Sequence, residues 1–277
     1  MYIGIDFGGT KTLAAAFTDD GQISKKHKFQ TDGSYQEYLE KLQQELTEHL
    51  GEAFEQAPCV TLAVPTRVDY DTGKVRLGPK MGDGWGHESI RTDLEQRFSK
   101  KVIIENDANV AALGEALHGA GQGYSRVLYV TLSTGIGTGY VENGGLDQTL
   151  LRSEGGQMIV STPDGTLAHW EDIASGKAFT ERYGKMGSEV DNPAIWREYA
   201  RLLAPGFVNL MALVQPEVIV IGGGMGAHLE KFREFVEPAI EDLRDERVDP
   251  VQLISASIPD EAVIYGCYEL ARQQETA

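Results

Sequence analysis

Gly4-Ile5-Asp6-Phe7-Gly8-Gly9-Thr10-Lys11-Thr12 is the stretch from which the fold is read. An apolar strand delivers Asp6, two glycines and a hydroxyl residue follow, and a second strand-like run begins at Thr12. That order predicts a β-hairpin whose backbone N–H groups, from Gly8 and Gly9 to Thr10 and Lys11, can approach phosphate oxygens with no Cβ in the way. Asp6 then stands at the strand end, placed to hold Mg²⁺ directly or through water. A glycine-rich hairpin with one exposed Asp accounts for the same residues, so the reading turns on what accompanies it.

Working outward, a second strand, glycine loop and strand occurs at Leu132-Ser133-Thr134-Gly135-Ile136-Gly137-Thr138-Gly139. Two such loops, one in each half of the chain, can clamp the phosphates of one nucleotide, and the pair is far more specific than either member. No Walker A sequence occurs, which disfavours a P-loop NTPase. A third glycine cluster follows a strand at Val218-Ile219-Val220-Ile221-Gly222-Gly223-Gly224-Met225-Gly226-Ala227. Gly222, Gly224 and Ala227 satisfy the dinucleotide fingerprint, but the acidic residues Glu241 and Asp242 lie at the end of a charged helix rather than of a strand. A turn against which an adenine ring lies flat explains these glycines, and so does a plain strand-to-helix turn.

In Ile104-Glu105-Asn106-Asp107-Ala108-Asn109 a buried strand hands three polar residues to the start of an apolar helix, a pattern that helix capping alone can produce. Glu154 and Glu171 sit in loop-rich sequence. Several carboxylates and amides converging on one place are the usual means of holding a polyol, although each alone reads as a solvated surface charge.

The rest of the chain sets bounds. Its 277 residues carry 25 Lys+Arg against 42 Asp+Glu, a formal charge of −17, which argues against nucleic acid as a partner. Only Cys59 and Cys267 are present, too far apart in sequence for a thiolate cluster. The opening Met1-Tyr2-Ile3-Gly4-Ile5 shows no basic leader or apolar h-region, and no apolar run reaches membrane-spanning length, so a cytoplasmic chain without membrane association is expected. Strands are predicted at 2–5, 12–18, 23–29, 59–64, 102–104, 127–132, 139–142 and 218–221. Helices are predicted from Tyr35 to Leu46 and at about 88–98, 108–118, 173–183, 196–214, 228–243 and 262–273. A turn is expected at 69–73 and an irregular loop from Leu77 to His87. Two successive β-rich, helix-closed halves suggest a duplicated α/β architecture.

Taken together, Asp-x-Gly-Gly-Thr-Lys, Asn-Asp-Ala before a helix, Thr-Gly-x-Gly-x-Gly, Glu-x-Gly, Glu-x-x-x-Ser-Gly and Gly-Gly-Gly in this order resemble the ROK (repressor, ORF, kinase) family of sugar kinases, across almost the whole chain. The resemblance implies an α/β fold of two ribonuclease-H-like, actin-like ATPase domains around a central cleft: a small one of residues 1–108 plus 262–277 and a large one of residues 109–261. It implies ATP held by Gly8, Gly9, Thr10 and Lys11, by Thr134, Gly135 and Gly137, and by Gly222, Gly223 and Gly224. It further implies Mg²⁺ near Asp6, a hexose held by Asn106, Glu154, Gln157 and Glu171, Asp107 as the catalytic base, and assembly as a homodimer.

The pattern also departs from the family. Where relatives carry Glu-x-Gly-His and then a Cys-x-Cys-Gly-x-x-Gly-Cys-x-Glu zinc motif, this chain has Gln157 and the run Thr162-Pro163-Asp164-Gly165-Thr166-Leu167-Ala168-His169-Trp170-Glu171. A protein without stoichiometric zinc is therefore expected, and Leu167 and Trp170 are the expected anchors of the loop. Pro65-Thr66 and Pro79-Lys80-Met81 replace a Pro-Gly and a Pro-Asn-Leu beside the sugar. The implied activity is ATP-dependent phosphorylation of a hexose, first of all at glucose O6. Fructose, an N-acetylated amino sugar, or a noncatalytic sugar-sensing role are the alternatives. The family's DNA-reading repressors carry an N-terminal winged helix that residue 4 leaves no room for.

Overall fold

The computed structural model describes residues 1–75, 89–162 and 164–276, so the loop expected at 77–87, the Pro79-Lys80-Met81 segment and Pro163 lie outside the described residues. The chain divides into two compact units, Met1–Gly114 with Asp260–Ala277, and Glu115–Pro259. Among the described residues no helix is long and apolar enough to cross a membrane.

The first unit contains β1 (Tyr2–Phe7), β2 (Lys11–Phe17), β3 (Ile23–Gln30), β4 (Cys59–Val64), the short hairpin β5 (Val68–Asp69) and β6 (Lys74–Val75), and β7 (Lys101–Asn106). Five of them form a sheet in the order β3-β2-β1-β4-β7, with β2 antiparallel to β1 and β3, and β4 parallel to β1 and β7. All six residues of β4 are buried, the continuous run that a central strand with parallel neighbours requires. At the free edge β3 carries Lys25, Lys26 and Lys28, charges of the kind that keep an edge from pairing with another chain. The helices here are α1 (Tyr35–Glu45), which runs on through a π-helical turn (Leu46–Leu50), then α2 (Glu52–Gln56), α3 (Ile90–Phe98) and α4 (Asp107–His118). Tyr35, Tyr38, Leu39 and Leu42 form the buried face of α1, and Glu37 closes its start by accepting the Ser34 N–H at 2.7 Å.

The second unit repeats that wiring. Its strands are β8 (Arg126–Leu132), β9 (Ile136–Glu142), β10 (Gly145–Leu146), β11 (Ile159–Ser161), β12 (Leu167–His169), β13 (Val218–Gly222) and β14 (Gln252–Ser255). The main sheet runs β10-β9-β8-β13-β14, again a hairpin-built antiparallel half followed by two parallel strands, so the duplicated α/β architecture is present. Its helices are α5 (Trp170–Ala174), α6 (Gly176–Tyr183), α7 (Pro193–Val214), the single turn α8 (Gly223–Gly226) and α9 (Leu229–Leu243); α10 (Ala262–Thr276) returns to the first unit. Trp196, Tyr199, Leu203, Phe207 and Leu210 recur every three or four residues along α7 and are buried, with Trp196 stacked on Phe232 of α9 at 5.8 Å between ring centroids.

Three expectations are corrected. The helix predicted at 173–183 is two helices, broken at Ser175, whose extended backbone lets its hydroxyl accept the Ala178 N–H at 3.1 Å and start α6 afresh. β14 adds a strand that sequence does not predict, because Gln252-Leu253-Ile254-Ser255 shows no clear alternation. Leu167 does not anchor its loop, being 70% exposed on the β11–β12 hairpin, whereas Trp170 is fully buried. Trp170 lies on α7 where Gly206 leaves room: a Cβ at Gly206 would come within 2.0 Å of the indole.

Helix α10 is held to α4 by direct backbone approach. A Cβ on Gly266 would lie 1.7 Å from the Val110 carbonyl oxygen, and one on Gly114 would lie 2.0 Å from that of Ala262. Gly4 of β1 receives Cys267 in the same way, at 2.9 Å. Gly266→Ala therefore forces two helices apart and should lower unfolding stability by about 1–3 kcal/mol, the usual cost of overpacking, read as a lower denaturant midpoint. An unchanged midpoint would show that the helices separate freely.

Candidate functional site

In the first unit the β1–β2 hairpin turns where Gly8 N–H donates to the Lys11 carbonyl at 3.1 Å. A Cβ at Gly8 would sit 2.8 Å from that same oxygen, so glycine is required for the tightness of the turn. Gly9, Thr10 and Lys11 are exposed at its tip. Behind it the Thr12 hydroxyl is buried between the Thr31 hydroxyl at 2.8 Å and the Tyr38 hydroxyl at 2.9 Å, which fastens the loop to the body of the unit. Asp6 lies one residue before the end of β1. Burial raises its carboxyl to about 6, with Lys28 pulling the other way, and among the described residues no donor or ion-pair partner meets it.

In the same sheet, β7 runs straight into α4. Asn106 caps the helix: its side-chain oxygen accepts the N–H groups of Ala108 at 2.9 Å and Asn109 at 3.3 Å, and its amide donates to the Thr66 carbonyl at 3.2 Å. Asp107 follows as the first helical residue, partly exposed, with Oδ1 accepting the Ala108 N–H at 2.8 Å. The capping role and the polar cluster thus coexist in the same residues. Glu105, given no role from sequence, is buried at 3% exposure. Its carboxylate accepts from Asn109 Nδ2 at 2.9 Å, from the Asn106 N–H at 2.8 Å and from the Tyr70 hydroxyl; burial pushes its pKa up while those three donors pull it down. The buried pair Glu105 and Asn109, four apart on a strand-to-helix junction, was the available signal.

In the second unit the β8–β9 loop closes with Ser133 N–H donating to the Gly135 carbonyl at 3.0 Å, and Lys177 N–H at the start of α6 donates to the Ser133 carbonyl at 3.2 Å. A cavity of about 440 Å³ opens here, lined by Ser133 and Thr134 of the loop, Lys177 of α6, Gly187, and Gly224 and Met225 of the glycine turn. The second glycine loop and the Gly222–Gly224 turn, far apart in sequence, therefore border one space. Within the turn Gly223 has φ +74°, and a Cβ there would come 2.6 Å from the Leu132 carbonyl, whereas one on Gly224 would meet nothing within 4 Å. Lys177, Gly187 and Met225 have no role in the sequence reading.

The residues expected to face a hexose from this unit are assembled on β9. Gly156 and Gly155 lie so close to Ile136 and Thr138 that side chains there would sit 2.2 Å and 2.6 Å from them, seating the turn that carries exposed Glu154 and Gln157. Glu171 Oε2 accepts the Ile136 N–H at 3.1 Å and Oε1 accepts the Gln157 amide at 2.7 Å, while His169 Nδ1 meets the Gln157 carbonyl at 2.9 Å. The Gln157 amide thus orients Glu171. Gly137 follows in β9, and a Cβ on Gly135 would lie 2.6 Å from Glu171, so loop and carboxylate are in contact.

The ROK family model matches residues 2–274. The chain belongs to the ROK family. It is 26% identical to a glucokinase of Thermotoga maritima, over 98% of this chain and 97% of that protein. Among solved structures, a ROK hexokinase from Thermus thermophilus aligns with a TM-score of 0.84 at 26% identity over 99% of each chain. A ROK family glucokinase from Streptomyces griseus in complex with glucose and AMPPNP aligns at 0.78 and 27% identity, over 98% of this chain and 99% of that one.

In this ROK chain the Asp6 carboxylate fits a Mg²⁺ ligand on its own chemistry: a hard oxygen donor, desolvated, unpaired among the described residues, and next to the β1–β2 glycine turn. It also costs stability. Its folded-state value of about 6 exceeds the unfolded 3.8, so the penalty is absent below about pH 4 and complete above about pH 6. A tenfold change in acidity corresponds to about 1.4 kcal/mol, so Asp6→Asn should be more stable than the parent by about 1–3 kcal/mol at pH 8, with the advantage gone near pH 4. Urea melts of both proteins at the two pH values measure it; a pH-independent difference would remove the buried-charge account.

Proposed function

We propose that this ROK-family sugar kinase transfers the γ-phosphoryl group of ATP to a hexose hydroxyl, with glucose O6 as its acceptor. The observation that carries the reading is the cavity shared by Thr134 and Gly224. Its size suits an adenosine moiety, one wall is bare backbone against which a flat ring can lie, and the exposed tip of a glycine loop stands at its edge.

Asp107 acts as the general base. A sugar hydroxyl is hardly ionised at neutral pH, so as its oxygen bonds to the γ-phosphorus and the bond to the β-phosphate oxygen breaks, the hydroxyl proton passes to Asp107 and ADP leaves. Its place on the first turn of α4, with Oδ1 held by the Ala108 N–H, orients the carboxylate. Glu105 holds that strand-to-helix junction rigid through Tyr70, Asn109 and the Asn106 N–H. Asn106, Glu154 and Glu171 bind sugar hydroxyls, and Gln157 acts by fixing Glu171 as well as by its own amide. The N–H groups of Gly8 to Lys11 and of the Thr134–Gly137 loop take the phosphate oxygens. Mg²⁺, held through Asp6, supplies charge neutralisation on those oxygens when bound.

A coupled assay with ATP and a panel of glucose, fructose, mannose and N-acetylglucosamine tests the acceptor; highest kcat/KM with another sugar replaces glucose, and no turnover with any overturns the enzyme reading. Asp107→Asn should lower kcat by about 10²- to 10⁴-fold while leaving the KM values for sugar and ATP within a few-fold. Near-normal turnover in that variant would reject the base. Gly224→Leu fills the cavity without touching neighbouring backbone, so it should raise the KM for ATP by about tenfold or more and leave that for the hexose alone. Gly135→Val is a poorer test of nucleotide binding, because its side chain strikes Glu171 and disturbs both substrates.

A further inference from the structure

Away from the glycine loops, one group of metal-ligating side chains stands outside the proposed reaction. His27 comes from the middle of β3, Glu45 from the last residue of α1, and His49 from the π-helical turn that follows. His27 Nε2 lies 2.7 Å and His49 Nε2 3.3 Å from the same oxygen, Glu45 Oε2. The ligand atoms of all three residues fall within 4.8 Å of one another.

The surroundings bear on whether an ion can bind here. The two imidazoles are stacked at 3.5 Å between centroids and 18° apart, with Phe29 on His27 at 5.7 Å; two rings on one tetrahedral ion have centroids about 5 Å apart, so the exposed His49 ring turns off His27 when both Nε2 atoms face a single ion. The helix widens at this place, with Gly51 N–H reaching back five residues to the Leu46 carbonyl, and such π turns are often found at functional sites. Among the described residues Glu45 pairs with no Lys or Arg, since the nearby Lys25 ammonium is spent on the Leu50 carbonyl at 3.1 Å. His27 and Glu45 are about a quarter exposed and His49 is 45% exposed, so an ion has a path in and room for a water ligand.

We infer that His27, Glu45 and His49 form a divalent transition-metal site, a two-imidazole, one-carboxylate set suited to Zn²⁺ with water in the fourth position. With bonds of about 2.0–2.1 Å, tetrahedral Zn²⁺ separates its ligand atoms by about 3.3 Å, which the His49–Glu45 spacing of 3.3 Å already meets and the 2.7 Å His27–Glu45 spacing reaches by opening about 0.6 Å. Neutral imidazoles and an ionised carboxylate match a borderline ion and select against Mg²⁺, which prefers oxygen. Bound there, the metal ties the edge strand β3 to the end of α1. The site runs against the expectation of a zinc-free protein, which rests on the loop at 153–171 alone, and it does not depend on which sugar is phosphorylated.

Titration of the full chain with Co²⁺, in excess Mg²⁺ and without nucleotide, reads the site directly. The expected result is the visible d–d absorption of low-coordinate Co²⁺, saturating at one ion per chain and displaced by Zn²⁺. His27→Gln and His49→Gln should each weaken Co²⁺ binding at least tenfold, while His228→Gln leaves it unchanged. Zn²⁺ should raise the melting temperature of the parent but not of Glu45→Gln, since an ion that binds only the folded state stabilises it. His49 is exposed enough to be replaced without opening the core, so loss of binding in a folded His49→Gln cannot be mistaken for unfolding. Absence of saturable Co²⁺ absorption, its persistence in the His27→Gln/His49→Gln double variant, or a Zn²⁺ shift that survives Glu45→Gln would each overturn the assignment.

Discussion

The backbone-to-backbone approach of α10 fixes the junction from β7 into α4, on which the proposed chemistry turns. Gly114 and Gly266 bring the two helix backbones to a separation that any side chain would forbid, while Gly4 lets α10 settle on β1. Asp107 opens the helix held this way and Asp6 lies near the end of the strand held this way, so the spacing between Asp107 and the β1–β2 turn is set by glycines several residues distant. At its other end α4 enters the second unit, where the fully buried Glu115 accepts the N–H groups of Ala120 at 2.8 Å, Ser257 at 3.1 Å and Ile258 at 2.9 Å. Each end of the helix is thus fixed by contacts within its own unit.

Two carboxylates, Glu105 buried and Asp6 half-buried, show how differently the fold treats charge. Glu105 receives three donors and serves the architecture, holding strand, helix and the Tyr70 segment in one arrangement. Asp6 receives none among the described residues and bears a desolvation cost that Lys28 offsets only in part. A carboxylate left without a donor beside the β1–β2 turn is a local sacrifice of stability of the sort found at functional sites. In the second unit Glu171 joins what sequence treats as separate devices, since one of its oxygens holds the β9 end of the glycine loop and the other the Gln157 amide. Any movement of that carboxylate is passed to the loop.

Much of the architecture is legible in advance, and the particular failures have physical causes. β4 and β13 can be read because an uninterrupted apolar run bounded by turn residues has few other uses, and α7 because Trp196 through Leu210 keep a helical period. β14 is invisible because a short strand covered on only part of its surface carries little pattern of its own; its partner β13 supplies the reason for it to be extended. The α5–α6 break is hidden because Ser175 is equally at home inside or before a helix, and the choice follows from burial of Trp170 on one side and Phe179 on the other. Hydrophobicity alone places Leu167 inward, yet it sits on a two-stranded hairpin that leaves it exposed.

The order and chemistry of the motifs lie in the primary structure: two glycine hairpins, an Asn-Asp pair entering a helix, and a glycine turn after a buried strand can be read there, because backbone access, helix capping and strand burial are local demands that local sequence satisfies, while the ROK assignment rests on their resemblance to that family's pattern. Convergence is another matter. That Thr134 and Gly224 border one cavity, that Gln157 spends its amide on Glu171, that Glu105 gathers three donors while Asp6 meets none among the described residues, and that His27 meets Glu45 and His49 all depend on elements that sequence alone does not bring together. Those meetings are decided by packing of whole elements against one another, and packing is set by volume and close approach, quantities that no single stretch of sequence contains.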